Sequence, residues 1–372
     1  MRKRLSLFLM LTMLFYNVVA QNYTTQTIQH NEVSRSYGIY VPEGYNPNSP
    51  TPLVFNFHGF GGTISYYMNE ADMRLVSDSN NFILVYPQGS LMDGATHWNP
   101  CPIGGDNKSN ADDLGFAQAI IQDILESYNI DTNRVYAVGY SNGGMMAYGL
   151  ATNRGKLLAA VASVSGAMLD CIDTVLHPMP VLHMHGTSDG VIAYGEDGWY
   201  PSVQSTLDYW IDFNNTTTEP EEYSDNSSGL LIQHYVYNQG NNGVSVEHYK
   251  YNNGGHDWFN ETYQGQTTEE IIWEFFSRYD INGLIENETS TNNQYENIKL
   301  GYRTYPNPVN NKLVIELGAP KEVKYKIYSM MGKLLKQGQL NSKINTIDLN
   351  TFDTNVYLIE IDGKISKFMK VK

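Results

Sequence analysis

Cationic side chains are scarce through most of this chain. Residues 21–300 hold nine Lys and Arg against 33 Asp and Glu, and only the tail reverses the balance, with twelve against six in residues 301–372. A segment that acidic repels phosphate backbones and anionic lipid surfaces, which excludes nucleic acid as a partner and favours a neutral or weakly charged one. Cysteine is nearly absent as well: Cys101 and Cys171 are the two in 372 residues. Neither lies beside a His-rich segment with metal-ligand spacing, so no metal site is expected. Long apolar runs are missing beyond the first twenty residues, so no membrane span is expected in the mature chain.

What is present starts with an export signal. Met1-Arg2-Lys3-Arg4 is a positive leader, residues 5–15 are almost unbroken apolar, and Val18-Val19-Ala20 supplies small residues before Gln21. Residues 1–20 therefore read as a secretory signal peptide. Export leads to an oxidising compartment, where the cysteine pair permits one disulfide, Cys101–Cys171, tying two surface loops. With 41% apolar and 12% aromatic residues the chain has enough to build a packed core.

Two strands, 24–30 and 35–41, turn at Asn31-Glu32. Short apolar runs follow at 53–57, 82–86, 134–139, 159–165 and 180–185, alternating with helical patterns at 69–78, 111–128, 142–152 and 202–213. Asp112 and Asp113 stand at the start of the 111–128 helix, where carboxylates suit the helix dipole, and both read as caps. Strands at 230–237 and 244–251 and a helix at 268–279 complete residues 21–284. Strands alternating with helices predict an α/β fold with a mostly parallel sheet. Residues 285–300 are polar and read as a linker. Residues 301–372 change character, with short strands at 312–317, 323–328, 334–339, 346–349 and 356–361 that suggest a small all-β sandwich.

The chemistry centres on Gly139-Tyr140-Ser141-Asn142-Gly143. A strand-type run precedes it and a helix-type run follows, the context of the nucleophile elbow of the α/β-hydrolase fold, which lifts a serine out at the sheet's edge. Serine alone is a poor nucleophile and needs a base and a group to orient that base, in the chain order Ser, Asp or Glu, His. Of the later histidines, His183, His185, His234 and His248 lie in strands and read as satisfied core side chains. His256 sits in the glycine-rich loop Gly254-Gly255-His256-Asp257-Trp258 and can reach the serine. Asp189 follows a strand end in His185-Gly186-Thr187-Ser188-Asp189, where residues face the crevice of an open sheet. Glu196, Asp197 and Asp257 compete for the acid's place and read as solvated surface charges. An oxyanion requires backbone donors: the N–H of Asn142, after the nucleophile, and that of Phe60 in His58-Gly59-Phe60-Gly61-Gly62. Tyr140, Trp98, Trp199 and Trp258 are candidates to line the cleft, with buried packing an equal alternative for each.

These motifs, with Tyr86-Pro87-Gln88-Gly89 and Asp112-Asp113-Leu114-Gly115-Phe116, occur together in order. They resemble the polyhydroxybutyrate depolymerase and feruloyl esterase group of carbohydrate esterase family one. The resemblance implies extracellular ester hydrolysis without a cofactor, the catalytic set being Ser141, Asp189 and His256. The tail, through Tyr305-Pro306-Asn307-Pro308-Val309, Ile327-Tyr328-Ser329-Met330-Met331-Gly332-Lys333 and the basic end at 367–372, resembles the C-terminal sorting domain of type IX secretion. That implies a secreted or surface-held protein delivered through the periplasm. The substrate expected is a feruloyl or acetyl ester on plant polysaccharide. The alternatives are a polyhydroxyalkanoate and, with no catalysis at all, a carbohydrate-binding surface protein.

Overall fold

The structure is a computed structural model that describes residues 23–104, 109–172, 175, 177–196, 198–285, 302–305, 309–317, 322–329, 333–353, 355–361 and 364–370. The expected signal peptide, and all of the expected linker but Ile285, lie outside the described residues. The chain divides into two compact units. One takes the residues up to Ser224 with Leu230–Asn260 and Thr268–Leu284; the other takes Asp225–Gly229, Glu261–Thr267 and Ile285–Lys372.

The first unit is built on a ten-stranded sheet. Its strands are β1 (Thr24–His30), β2 (Val33–Tyr40), β3 (Thr51–Phe57), β4 (Ile83–Pro87), β5 (Ile130–Tyr140), β6 (Ala160–Val164), β7 (Val181–Gly186), β8 (Glu221–Asp225), β9 (Ile232–Tyr237) and β10 (Val246–Tyr251). They lie in the order β1-β2-β4-β3-β5-β6-β7-β10-β9-β8. The six from β4 to β10 in that order pair parallel, whereas β1, β2 and β9 pair antiparallel. β3 and β4 are buried along their whole length, as strands covered on both faces must be. β1 turns into β2 through Asn31 and Glu32 at φ 49° and 65°, both left-handed, the geometry whose twist matches a two-residue hairpin.

Among the described residues six α-helices accompany the sheet: α1 (Ile64–Glu70), α2 (Arg74–Asn80), α3 (Asp113–Ser127), α4 (Asn142–Asn153), α5 (Val203–Asn214) and α6 (Thr268–Phe276). Ile120 and Ile124 of α3, Tyr148 of α4 and Leu207 and Trp210 of α5 join Leu53, Phe55, Val135, Val161 and Val181 in one core. Among the described residues no helix is long and apolar enough to cross a membrane.

Two expectations need correction. The single helix at 69–78 is instead the end of α1 and most of α2, broken at Ala71–Met73. Asp72 captures the Arg74 N–H at 3.0 Å and its guanidinium at 2.7 Å. The carbonyl of Ala71, meanwhile, accepts from Asn56 and the Tyr86 hydroxyl. Asp112 does cap α3, accepting from Gly115 N–H. Asp113, however, is wholly buried, pairs with Arg35 at 2.6 Å and accepts the Asn99 N–H at 2.7 Å. It is a core anchor for the 98–101 loop.

The second unit carries a three-stranded sheet (Tyr302–Tyr305, Lys312–Leu317, Ile344–Asp348) and a four-stranded one (Leu334–Leu340, Val323–Ser329, Asn355–Ile361, Lys364–Lys370). Leu313, Ile315, Ile327, Ile359 and Phe368 share its core. The first and last of these strands were not expected. The last reads as a basic end, yet Ser366, Phe368 and Lys370 alternate inward with a strand's period of two.

Cys101 and Cys171 are bonded, as expected, across 70 residues. Closing so long a loop restricts the unfolded chain by about 2–4 kcal/mol. Reductant should therefore lower the melting temperature of the folded protein. Two titratable thiols in the unfolded, unreduced chain would contradict the bond.

Candidate active site

Ser141 occupies the sharp turn between β5 and α4 with φ 54° and ψ −119°. A non-glycine residue there is strained by roughly 1–3 kcal/mol and persists only where its surroundings over-determine it. Here the Ser141 N–H donates to Val164 O at 2.8 Å, and Ser141 O accepts from Met145 N–H at 3.0 Å. The next turn leaves no room for a side chain: a Cβ on Gly143 would lie 2.0 Å from Phe57 O and 2.7 Å from His58 O. α4 thus starts against the end of β3, bringing the serine beside the loop that follows β3.

His256 reaches that serine. Its Nε2 is 2.9 Å from Ser141 Oγ and its Nδ1 is 2.7 Å from Asp189 Oδ2. The carboxylate accepts, so Nδ1 carries the hydrogen and Nε2 is free to accept the serine proton. The second oxygen of Asp189 accepts from Val191 N–H at 2.8 Å and Ile192 N–H at 2.9 Å. Burial alone would raise the pKa of Asp189. The donors His185, His256, Val191 and Ile192 outweigh burial and hold the carboxyl well below the usual carboxylate range. Glu196 and Asp257 are exposed, and Asp197 lies outside the described residues.

The histidine loop is clamped by backbone contacts. A Cβ on Gly186 would stand 2.3 Å from Gly254 O, and Ser188 N–H donates to the same carbonyl at 2.9 Å. The Tyr140 hydroxyl donates to His256 O at 2.7 Å, and Ser165 Oγ donates to Asp257 O at 2.9 Å. Ser165, at φ 50°, has no signature in the sequence; only the neighbourhood of β6 and the histidine loop reveals it.

The 58–62 loop lies directly against the serine, since a Cβ on Gly59 would be 3.5 Å from that of Ser141. Phe60 N–H meets no acceptor among the described hydrogen bonds, and Asn142 N–H is one of the unpaired donors of a helix start. Buried His58 pins the loop: Nδ1–H donates to Gly59 O at 2.6 Å, while Nε2 accepts Gly89 N–H at 3.0 Å. Gln88 adds a bond to Gly62 O and accepts the Ile64 N–H. The Trp98 indole donates to His58 O at 2.8 Å, and the Asn142 amide bonds both the N–H and the C=O of Trp98.

Trp98 and Trp258 are therefore not cleft walls. Both are buried, because each indole N–H has a specific acceptor, His58 O for Trp98 and Glu269 for Trp258. Tyr140 stays partly exposed beside His256, at 5.1 Å between rings. Phe60, Tyr66 and Trp199 are exposed, at 57%, 61% and 87%.

The fold is that of the α/β hydrolases. Residues 35–199 match the family model described as esterase PHB depolymerase, and residues 303–371 match that of the secretion system C-terminal sorting domain, the mark of an exported chain. A bifunctional acetylxylan esterase/xylanase of Neocallimastix patriciarum is 28% identical over 252 residues, 68% of this chain and 34% of its own. Feruloyl esterase D of Neurospora crassa is 31% identical over 183 residues, 46% of this chain and 59% of its own. The chain thus spans between a third and three fifths of the length of these relatives. An acetyl xylan esterase structure from Aspergillus awamori shares the fold with a TM-score of 0.50 and 16% identity, covering 68% of this chain and 99% of its own.

Burial lowers the His58 pKa to about 4, so the folded state keeps this ring neutral. The unfolded chain takes up the proton near pH 6.5, so this contribution is complete above pH 6.5 and is lost as pH falls toward 4. Urea unfolding of His58→Gln at pH 7, 6, 5 and 4 should show a shallower loss of stability than the parent. Identical slopes would clear His58 of the effect.

Proposed function

We propose that the protein is an exported serine ester hydrolase that works through an acyl-enzyme. One observation carries the reading: the continuous chain Ser141 Oγ, His256, Asp189, at 2.9 and 2.7 Å, set at the start of a helix. Ser141 attacks the ester carbonyl while its proton passes to His256 Nε2. The N–H groups of Phe60 and Asn142 receive the oxyanion. His256 then gives the proton to the leaving alcohol, and water reverses the sequence to free the acid. Asp189 keeps His256 in the productive tautomer and stabilises the imidazolium. No step calls for a cofactor.

The substrate class is a feruloyl or acetyl ester on plant polysaccharide. The relatives named as feruloyl and acetylxylan esterases support it, as do the exposed rings of Phe60, Tyr66 and Trp199, which suit an aromatic acyl group or a sugar face. A polyester depolymerase is the second reading, favoured by the family description itself. Residues 1–20 act as signal, 21–284 as the catalytic domain, 285–300 as linker, and 301–372 as the address read by the type IX machinery.

Ser141→Ala and His256→Ala should each lower kcat/KM on a nitrophenyl ester by roughly 10⁴-fold or more, and Asp189→Asn by on the order of 10⁴. Full turnover by Ser141→Ala would end the mechanism. Methyl ferulate, acetylated xylan and polyhydroxybutyrate, tested side by side, separate the substrate classes.

A chain ending at Leu284 should keep esterase activity on a soluble ester yet stay in the periplasm of the native cell. If it reaches the medium, the tail is not the export address.

A further inference from the structure

Behind the proposed acid lies a buried row of polar rings that the hydrolysis does not use. Asp189 Oδ2, the oxygen that accepts from His256, also lies 3.3 Å from His185 Nε2. The same Nε2 is 2.9 Å from Ile192 O. Both neighbours only accept, so His185 carries its hydrogen on Nε2. Its Nδ1 is then the acceptor for His183 Nε2, 3.1 Å away. His183 in turn presents a bare Nδ1 to the Tyr148 hydroxyl at 2.8 Å. Every hydrogen points one way: Tyr148 to His183, His183 to His185, and His185 to Ile192 O, with Asp189 Oδ2 as its second, longer neighbour at 3.3 Å. Tyr148, His183 and His185 are wholly buried, which sets the row out of reach of bulk solvent. Burial holds the His183 ring neutral, well below the usual histidine range.

The arithmetic of the carboxylate gives this row a purpose. An ionised carboxyl group offers about four acceptor sites. Asp189 has two backbone N–H groups on one oxygen and, on the other, the His256 imidazole at 2.7 Å with the His185 ring N–H beside it at 3.3 Å. Tyr148, moreover, lies on α4, the helix that Ser141 begins.

We propose that His185 is a positioning residue that, backed by His183 and Tyr148, fixes the Asp189 carboxylate and moderates its pull on His256. The proposal rests on the Ser141–His256–Asp189 reading above. A second donor on Oδ2 spreads its charge, and the imidazolium of His256 is stabilised less than it would be by an oxygen that His256 alone addressed. The other titratable neighbours of the row are His248, which contacts His183 O and the Tyr194 hydroxyl, and Lys250, over the Tyr194 ring. Tyr140 and Asp257 stand near His256.

The test is the pH profile of kcat/KM on a soluble nitrophenyl ester. His185→Leu fills the space without a donor; it should lower the plateau about tenfold and move the acid limb up by roughly one pH unit. His185→Gln, which keeps a donor at the Nε2 position, should restore the parent's acid limb. A His185→Leu enzyme with an unmoved acid limb, whatever its plateau, would overturn the proposal and leave His185 a packing residue. Ring ¹⁵N spectra of the unmodified protein decide the matter even if His185→Leu does not fold. Hydrogen on Nε2 with a bare Nδ1 at His185 is the expected result, and hydrogen on its Nδ1 overturns the row. Ser141→Ala serves as the control: if it retains turnover the triad reading itself fails, whereas an inactive Ser141→Ala with an unmoved His185→Leu profile rejects the row alone.

Discussion

The left-handed turn at Ser141 is the constraint on which the rest of the first unit depends. A serine at φ 54° is held there because β5 must end and α4 must begin within one residue. The helix start must also press against the end of β3 closely enough that Gly143 faces Phe57 O and His58 O. That packing does two things at once. It presents the hydroxyl beyond the sheet, and it puts the loop after β3 within van der Waals reach of it. Strain of this size is kept only where backbone contacts on both sides leave no alternative, and Val164 O and Met145 N–H supply them.

Around that turn, the other motifs of the sequence turn out to be one scaffold. Asp113, buried against Arg35, takes the N–H of Asn99 and so anchors the loop that carries Trp98. Trp98 holds His58 O, and Asn142 holds Trp98. Gly89 N–H bonds the ring of His58, and Gln88 bonds Gly62 O beside it. Short polar contacts, each from a different stretch of chain, converge on the 58–62 loop. They leave the Phe60 N–H without an acceptor among the described hydrogen bonds.

Desolvation is the common cost across this unit, and hydrogen bonds decide its sign at each group. His58 and His248 have too few acceptors or negative charges to offset burial, and their pKa values fall to about 4 and about 3. Asp189 and Glu247 are also penalised by burial, yet both end low. Four donors serve the first; Arg278 and His234 serve the second, whose pKa falls to about 2. A buried carboxylate stays charged when its acceptor sites are filled, and a buried imidazole stays neutral when one nitrogen donates and the other accepts.

Much of this was legible in the linear chain. The alternation of short apolar runs with helical periods implied a parallel sheet, because side-chain period reflects local backbone geometry. The small residues around Ser141 and the order Ser, Asp, His marked the site, since an elbow and a base loop each need a particular local composition. The disulfide followed from two cysteines and an export signal. Other features needed the third dimension. The break at Ala71–Met73 depends on Asn56 and Tyr86 from other strands taking a carbonyl. Trp98 and Trp258 read equally as cleft or as packed side chains, and only the acceptors their indoles meet decide for packing. Asp113 read as a cap because its partner, Arg35, lies 78 positions away. His183 and His185 looked like ordinary core side chains, and only the fold sets them in line behind Asp189. Local pattern is a property of neighbours in sequence, whereas the partner of a buried polar group is chosen by neighbours in space.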